Sequence, residues 1–120
     1  NIFLYLGALA TVFFSCATKS HVETMNPANF KEIVKNPVTT LVDVRIPEEF
    51  SEKTAKGAVN IPLAKIEDNI SFFKNQKTTV LFCNLFIQAE QALEILRKNG
   101  VENVYFGKSL DNVEAIQNEK

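Results

Sequence analysis

Cys83 closes the run Thr78-Thr79-Val80-Leu81-Phe82-Cys83, and the loop Asn84-Leu85-Phe86-Ile87-Gln88 carries the chain on to Ala89 and a strongly amphipathic segment. A thiol at the carboxyl end of an apolar strand, beside a tight loop and a helix start, can serve as a nucleophile. The loop's N–H groups and the positive end of the helix both favour the thiolate, so a low thiol pKa is expected, and the same groups hold anions. The alternative is a small buried hydrophobe that ends a core strand. Cys16, the other cysteine, lies far away in sequence and His21 is the sole histidine, so neither a zinc ligand set nor a C-x-x-C pair can be assembled locally. No metal and no cofactor is expected. Asp43 and Arg45 are read as turn-fixing groups, with Arg45 paired to Glu48 or Glu49. Gln88 either donates to a bound anion or faces solvent, and Phe86 and Ile87 form either a binding lip or buried packing.

These residues need elements to position them. Asn26-Pro27 suggests a helix start, and Phe30, Ile33 and Val34 then share one face until Asn36-Pro37 ends it. Thr39 to Val44 is β-branched and apolar and leads into Pro47-Glu48-Glu49, a second helix start with acids in its first turn. Gly57-Ala58-Val59-Asn60-Ile61-Pro62 reads as a short strand, and Leu63, Ile66, Ile70 and Phe73 recur afterwards at helical spacing. The unbroken apolar run ending at Cys83 is the pattern of a central strand covered on both faces. Ala89, Ala92, Leu93 and Leu96 mark the next helix, which Gly100 stops. A last strand is expected over residues 101–106, and Leu110, Val113 and Ile116 mark a final helix. Alternating strands and helices imply an α/β fold, a mainly parallel sheet with helices on both faces.

Residues 2–14 form an uncharged apolar run, shorter than the roughly 20 residues of a spanning helix. The run fits the apolar part of an export signal. Ser15-Cys16 after it resembles the lipobox of bacterial lipoproteins, which implies that Cys16 is the lipidation site and that the protein is periplasm-facing, anchored to the membrane by lipid alone. A short membrane anchor, an ordinary signal peptide, or a first buried element of the domain are the other readings. With neither Met nor a basic stretch ahead of the run, the signal is expected to be incomplete. The expected organisation is a signal segment over 1–15, a tether over 16–24 and one domain over 25–117. With 46% hydrophobic and 22% charged residues, that domain has the composition of a folded unit. A net charge of -1 with scattered lysines gives no nucleic-acid footprint, and no oligomerisation signal is seen, so a monomer is expected.

The run Leu41-Val42-Asp43-Val44-Arg45-x-Pro47-x-Glu49-Phe50, then Gly57-Ala58-Val59-Asn60-Ile61-Pro62-Leu63, then an apolar strand ending in Cys83, resembles the rhodanese homology domain in order and spacing. The resemblance implies a three-layer fold around a five-stranded sheet. It also implies a sulfurtransferase or persulfide carrier in which Cys83 takes a sulfane sulfur from a small donor or a persulfide-bearing protein. The loop of active members reads Cys-Arg-x-Gly-x-Arg and then a small residue. Cys83 and Ala89 match it, whereas Asn84 and Gln88 replace the arginines and Phe86 the glycine, with Leu85 and Ile87 between them. Fewer cations weaken the pull on thiosulfate-like anions. A catalytically silent binding or redox-sensing module is the competing function. A phosphatase would need arginine where Ala89 stands, to clamp its phosphate.

Overall fold

The computed structural model describes residues 28–120; Cys16, the segments 1–15 and 16–24, Asn26 and Pro27 lie outside the described residues. Along the described chain run α1 (Phe30–Lys35), β1 (Thr39–Asp43), α2 (Pro47–Glu52) and β2 (Val59–Asn60). Two 3₁₀ turns, Leu63–Lys65 and Glu67–Asn69, lead to α3 (Ile70–Lys74), β3 (Thr78–Cys83), α4 (Ile87–Lys98), β4 (Val104–Ser109) and α5 (Leu110–Gln117). The strands pair in parallel in the order β2-β1-β3-β4. β1 and β3 run in register from Thr39 beside Thr78 to Asp43 beside Phe82, which brings Asp43 and Cys83 to the same carboxyl edge.

The sheet has four strands among the described residues, which corrects the five implied by the family resemblance. Only four runs in 28–120 join β-forming residues to a following helical segment, and no run remains to supply a fifth. Strand alternation sends Val42, Val44, Leu81, Cys83, Val104 and Phe106 to one face, beneath α3 and α4. Leu41, Val80 and Phe82 go to the other face, beneath α1 and α5. Both faces of β3 are therefore covered, and this is why it reads as a continuous apolar run. Leu93 and Leu96 of α4 are fully buried, each burial worth about 1.5–3 kcal/mol. They fix the helix, and hence its amino terminus, against the sheet.

Three boundaries differ from expectation, each for a local reason. The strand expected over Gly57 to Pro62 shrinks to two residues: Gly57 sits at φ 81, and Pro62 has no N–H to give. The helical spacing of Leu63 and Ile66 is spent in 3₁₀ turns, so α3 begins only at Ile70. The last strand starts at Val104 instead of residue 101. Val101 belongs to the end of α4, where its N–H donates to the Leu96 carbonyl (2.9 Å) and Gly100 donates to that of Arg97 (3.1 Å), with Gly100 at φ 87. That is the paired-bond helix stop that glycine permits. Ser109, whose hydroxyl accepts from the Asn112 N–H at 3.1 Å, caps α5.

Candidate active site at Cys83

Cys83 is the final residue of β3, 1% exposed, with its side chain on the α4 face of the sheet. The loop 84–86 turns straight into α4, and the Ala89 N–H donates to Cys83 Sγ at 3.4 Å. The backbone N–H groups of Gln88 and Leu85 favour the charged sulfur as well, while that of Ala89 makes the hydrogen bond to it. Phe86 stands where a glycine was expected for the turn, yet it takes φ -139 and ψ -30, so this loop closes without a left-handed residue.

The expected low thiol pKa is corrected: it is raised. Burial is the main cause, because an ionised sulfur loses its water, and the Asp43 carboxylate adds to it; the amides of Ala89, Gln88 and Leu85 pull the other way without winning. The buried Arg45 cation is coupled favourably to the thiolate as well, without reversing the direction. Sγ also lies 3.8 Å from the Lys108 carbonyl oxygen, to which the protonated thiol donates. Lys108 was not singled out as part of the site. It sits at φ 70, in a bulge where β4 fits Gly107 and Lys108 opposite Phe82 alone, between the pairs Leu81/Phe106 and Cys83/Ser109. Gly107 is required there, since a Cβ would come within 2.6 Å of Val80 Cγ1 and 2.8 Å of the Leu81 carbonyl oxygen. The sequence signal was the pair Gly107-Lys108 just after an apolar strand.

Beside the thiol, Asp43 and Arg45 form a buried, saturated pair. Arg45 Nε donates to Asp43 Oδ1 (2.9 Å) and Nη2 to Oδ2 (2.8 Å), while the Arg45 backbone N–H and the Thr54 hydroxyl fill the remaining carboxylate positions. Asp43 is thus the bonded ionic partner, in place of Glu48 or Glu49; Glu49 bonds Arg45 through its carbonyl, at 3.4 Å, and its carboxylate adds a weaker coulombic pull. The reason is spacing, because two residues along a strand end put the two side chains on the same side. Arg45 Nη1 also donates to Asn84 Oδ1 at 3.0 Å, and Asn84 Nδ2 donates to the Glu49 carboxylate at 3.2 Å. Asn84 therefore ties the loop to α2 and does not reach toward an anion. Asn60 donates to the carbonyls of Asp43 and Arg45, holding β2 to the same turn.

Cys83, Asn84, Leu85, Ile87 and Gln88 line a cavity of about 240 Å³, open to solvent. Leu85, Phe86 and Ile87 are 71%, 52% and 64% exposed, so they form an apolar rim, and Phe86 is steadied edge-on against the Phe106 ring at 6.4 Å. Ala89 is fully buried, its small side chain letting α4 approach the strand end. The structure thus brings Cys83, Asn84, Leu85, Ile87 and Gln88 to one opening, while Phe86 packs on Phe106 and Ala89 is buried behind it.

Residues 26–108 match the rhodanese-like domain family. The chain belongs to that family. Among rhodanese-like relatives it is 37% identical over 65 residues to the thiosulfate sulfurtransferase PspE of Escherichia coli (strain K12), covering 52% of this chain and 62% of that protein. It is 35% identical over 65 residues to the uncharacterized protein YqhL of Bacillus subtilis (strain 168), covering 54% of this chain and 52% of that protein. The chain thus spans little more than half the length of these curated relatives. A solved rhodanese with anions from E. coli superposes with a TM-score of 0.56 at 34% identity, over 62% of this chain and 89% of that one.

Proposed function

We propose that this rhodanese-like domain is a sulfurtransferase or persulfide carrier that works through Cys83. The observation that carries the reading is Cys83 Sγ in the lining of an open cavity, accepting from the Ala89 N–H, with the Leu85 and Gln88 amides also favouring its charge. In the transfer, the Cys83 sulfur attacks the terminal sulfur of a donor R–S–SH. The donor's S–S bond breaks, R–S⁻ leaves, and a Cys83 Sγ–S bond forms. The proton given up by Cys83 equals the one taken up by the leaving thiolate, so a thiol and a persulfide exchange one sulfur atom and no oxidant is consumed. The amide cradle then faces the terminal sulfur, where the charge of the new persulfide resides. Resemblance to a thiosulfate sulfurtransferase supports the reaction class, and the pattern around Ser15-Cys16 supports a lipid tether to a bacterial membrane on the periplasmic side.

The neutral loop and the raised thiol pKa favour a second reading, a silent module that binds a partner. Cys83→Ser separates the two. Under the first reading the variant folds, by circular dichroism, and loses transfer of sulfane sulfur from a persulfide to an acceptor thiol. Transfer at the wild-type rate by the serine variant rejects the assignment.

A further inference from the structure

We infer that the donor is a small persulfide with an apolar, uncharged body about one aromatic ring in size, and that this site discriminates against dianions such as thiosulfate. This rests on Cys83 being the sulfur-accepting residue and adds the chemistry of what it accepts from.

Charge around the opening sets the first constraint. Among the described residues, no lysine or arginine lines the cavity. Arg45 is the cation closest in sequence to the turn beside it, but it is 5% exposed and its N–H groups are directed to Asp43, Asn84 and backbone carbonyls. Lys108 lines a separate cavity with Phe30, Asn112 and Ile116 near α1 and α5, and what it presents to the thiol is its backbone carbonyl. Glu49, by contrast, holds its carboxylate on Asn84 at the loop. A dianion entering here meets, among the described residues, no free guanidinium or ammonium, the nearby Arg45 being held by Asp43. The three amides supply partial charges enough for a single terminal sulfur, in the way nests of N–H groups hold one anionic atom.

The rim sets the second constraint. Leu85 and Ile87 border the opening and stand more than half exposed, and covering them with an apolar group returns free energy that a hydrated anion cannot supply. Size is the third. The cavity is about 240 Å³, above the roughly 150 Å³ that holds benzene and below the roughly 300 Å³ where drug-sized sites begin.

Loading of Cys83 by one sulfur, followed by peptide mass mapping, tests the proposal with three probes: benzyl hydropersulfide, a dianionic dicarboxylate persulfide of similar size, and thiosulfate. Benzyl hydropersulfide should load Cys83 at least about tenfold faster than either dianion. The double variant Leu85→Ser/Ile87→Ser should erase about tenfold of the benzyl compound's rate and narrow its advantage over the dianions correspondingly. Equal loading by thiosulfate or by the dicarboxylate persulfide overturns the donor class and leaves Cys83 as the carrier. Failure of every donor on protein with a native circular dichroism spectrum overturns both.

Discussion

Replacing Asp43 by asparagine should be among the costliest single changes in this domain, although Asp43 does not touch the proposed substrate. The carboxylate is fully buried and receives two hydrogen bonds under 3 Å from the Arg45 guanidinium, one from the Arg45 main chain and one from Thr54. Asparagine keeps the shape, removes the charge and turns an NH₂ group toward donors. Arg45, only 5% exposed, is left as an uncompensated buried cation. Breaking one partner of such a pair costs about 3–5 kcal/mol, a large share of the roughly 5–15 kcal/mol that holds a domain together. With a urea slope of roughly 1–2 kcal/mol/M, the unfolding midpoint should fall by about 1.5–5 M. A further removal of Arg45, as Asp43→Asn/Arg45→Met, takes the stranded charge away and should restore about 1–3 kcal/mol relative to the single variant. A midpoint shift below about 0.5 M for Asp43→Asn, or a double variant as unstable as the sum of both changes, would refute the buried-pair reasoning.

Lys108 occupies a left-handed conformation at φ 70, and Lys108→Gly trades relief of that strain, about 1–2 kcal/mol, against the extra freedom of glycine in the unfolded chain, about 0.4–1 kcal/mol. A net gain of about 0.5–1 kcal/mol should appear as a higher thermal midpoint. The raised Cys83 pKa has a definite sign: below the unfolded-state thiol pKa both states hold the proton, and as pH climbs from there toward the folded value only the native state retains it. Stability should therefore fall with alkaline pH over that window, with a shallower fall in Cys83→Ala, in pH-resolved urea titrations. Alkylation of Cys83 by iodoacetamide should likewise be slow at neutral pH and accelerate only on the alkaline side of an ordinary thiol. Gln88→Arg places a cation at the cavity rim and should raise the rate of sulfur loading from thiosulfate by about tenfold or more in a mass-resolved time course.

Residue periodicity made the architecture readable because each element buries one face against the sheet. The spacing of Ala89, Ala92, Leu93 and Leu96 gave α4, Gly100 gave its end, and the unbroken run into Cys83 gave a strand covered on both sides. What failed to show in the sequence depended on contacts between distant segments. Val101 looks like the first residue of a strand, yet its N–H completes the end of α4. Asn84 and Gln88 look equivalent as substitutes for arginine, but Asn84 is bound by Arg45 and Glu49 from the neighbouring turn and Gln88 lines the opening. The thiol pKa went the opposite way from local expectation. Loop amides and helix polarity are local properties, while the burial that outweighs them is assembled from distant segments packed on the α4 face of the sheet. The bulge at Gly107-Lys108 that brings a carbonyl to the sulfur is a matter of register between β3 and β4, which composition does not reveal.

The most direct test is peptide-resolved mass spectrometry of the folded protein after brief exposure to a persulfide donor and removal of the excess. The account predicts a gain of about 32 Da on the peptide containing Cys83, reversed by dithiothreitol and absent in Cys83→Ser. A Cys83 peptide of unchanged mass, from protein that has kept its native spectrum, would contradict it.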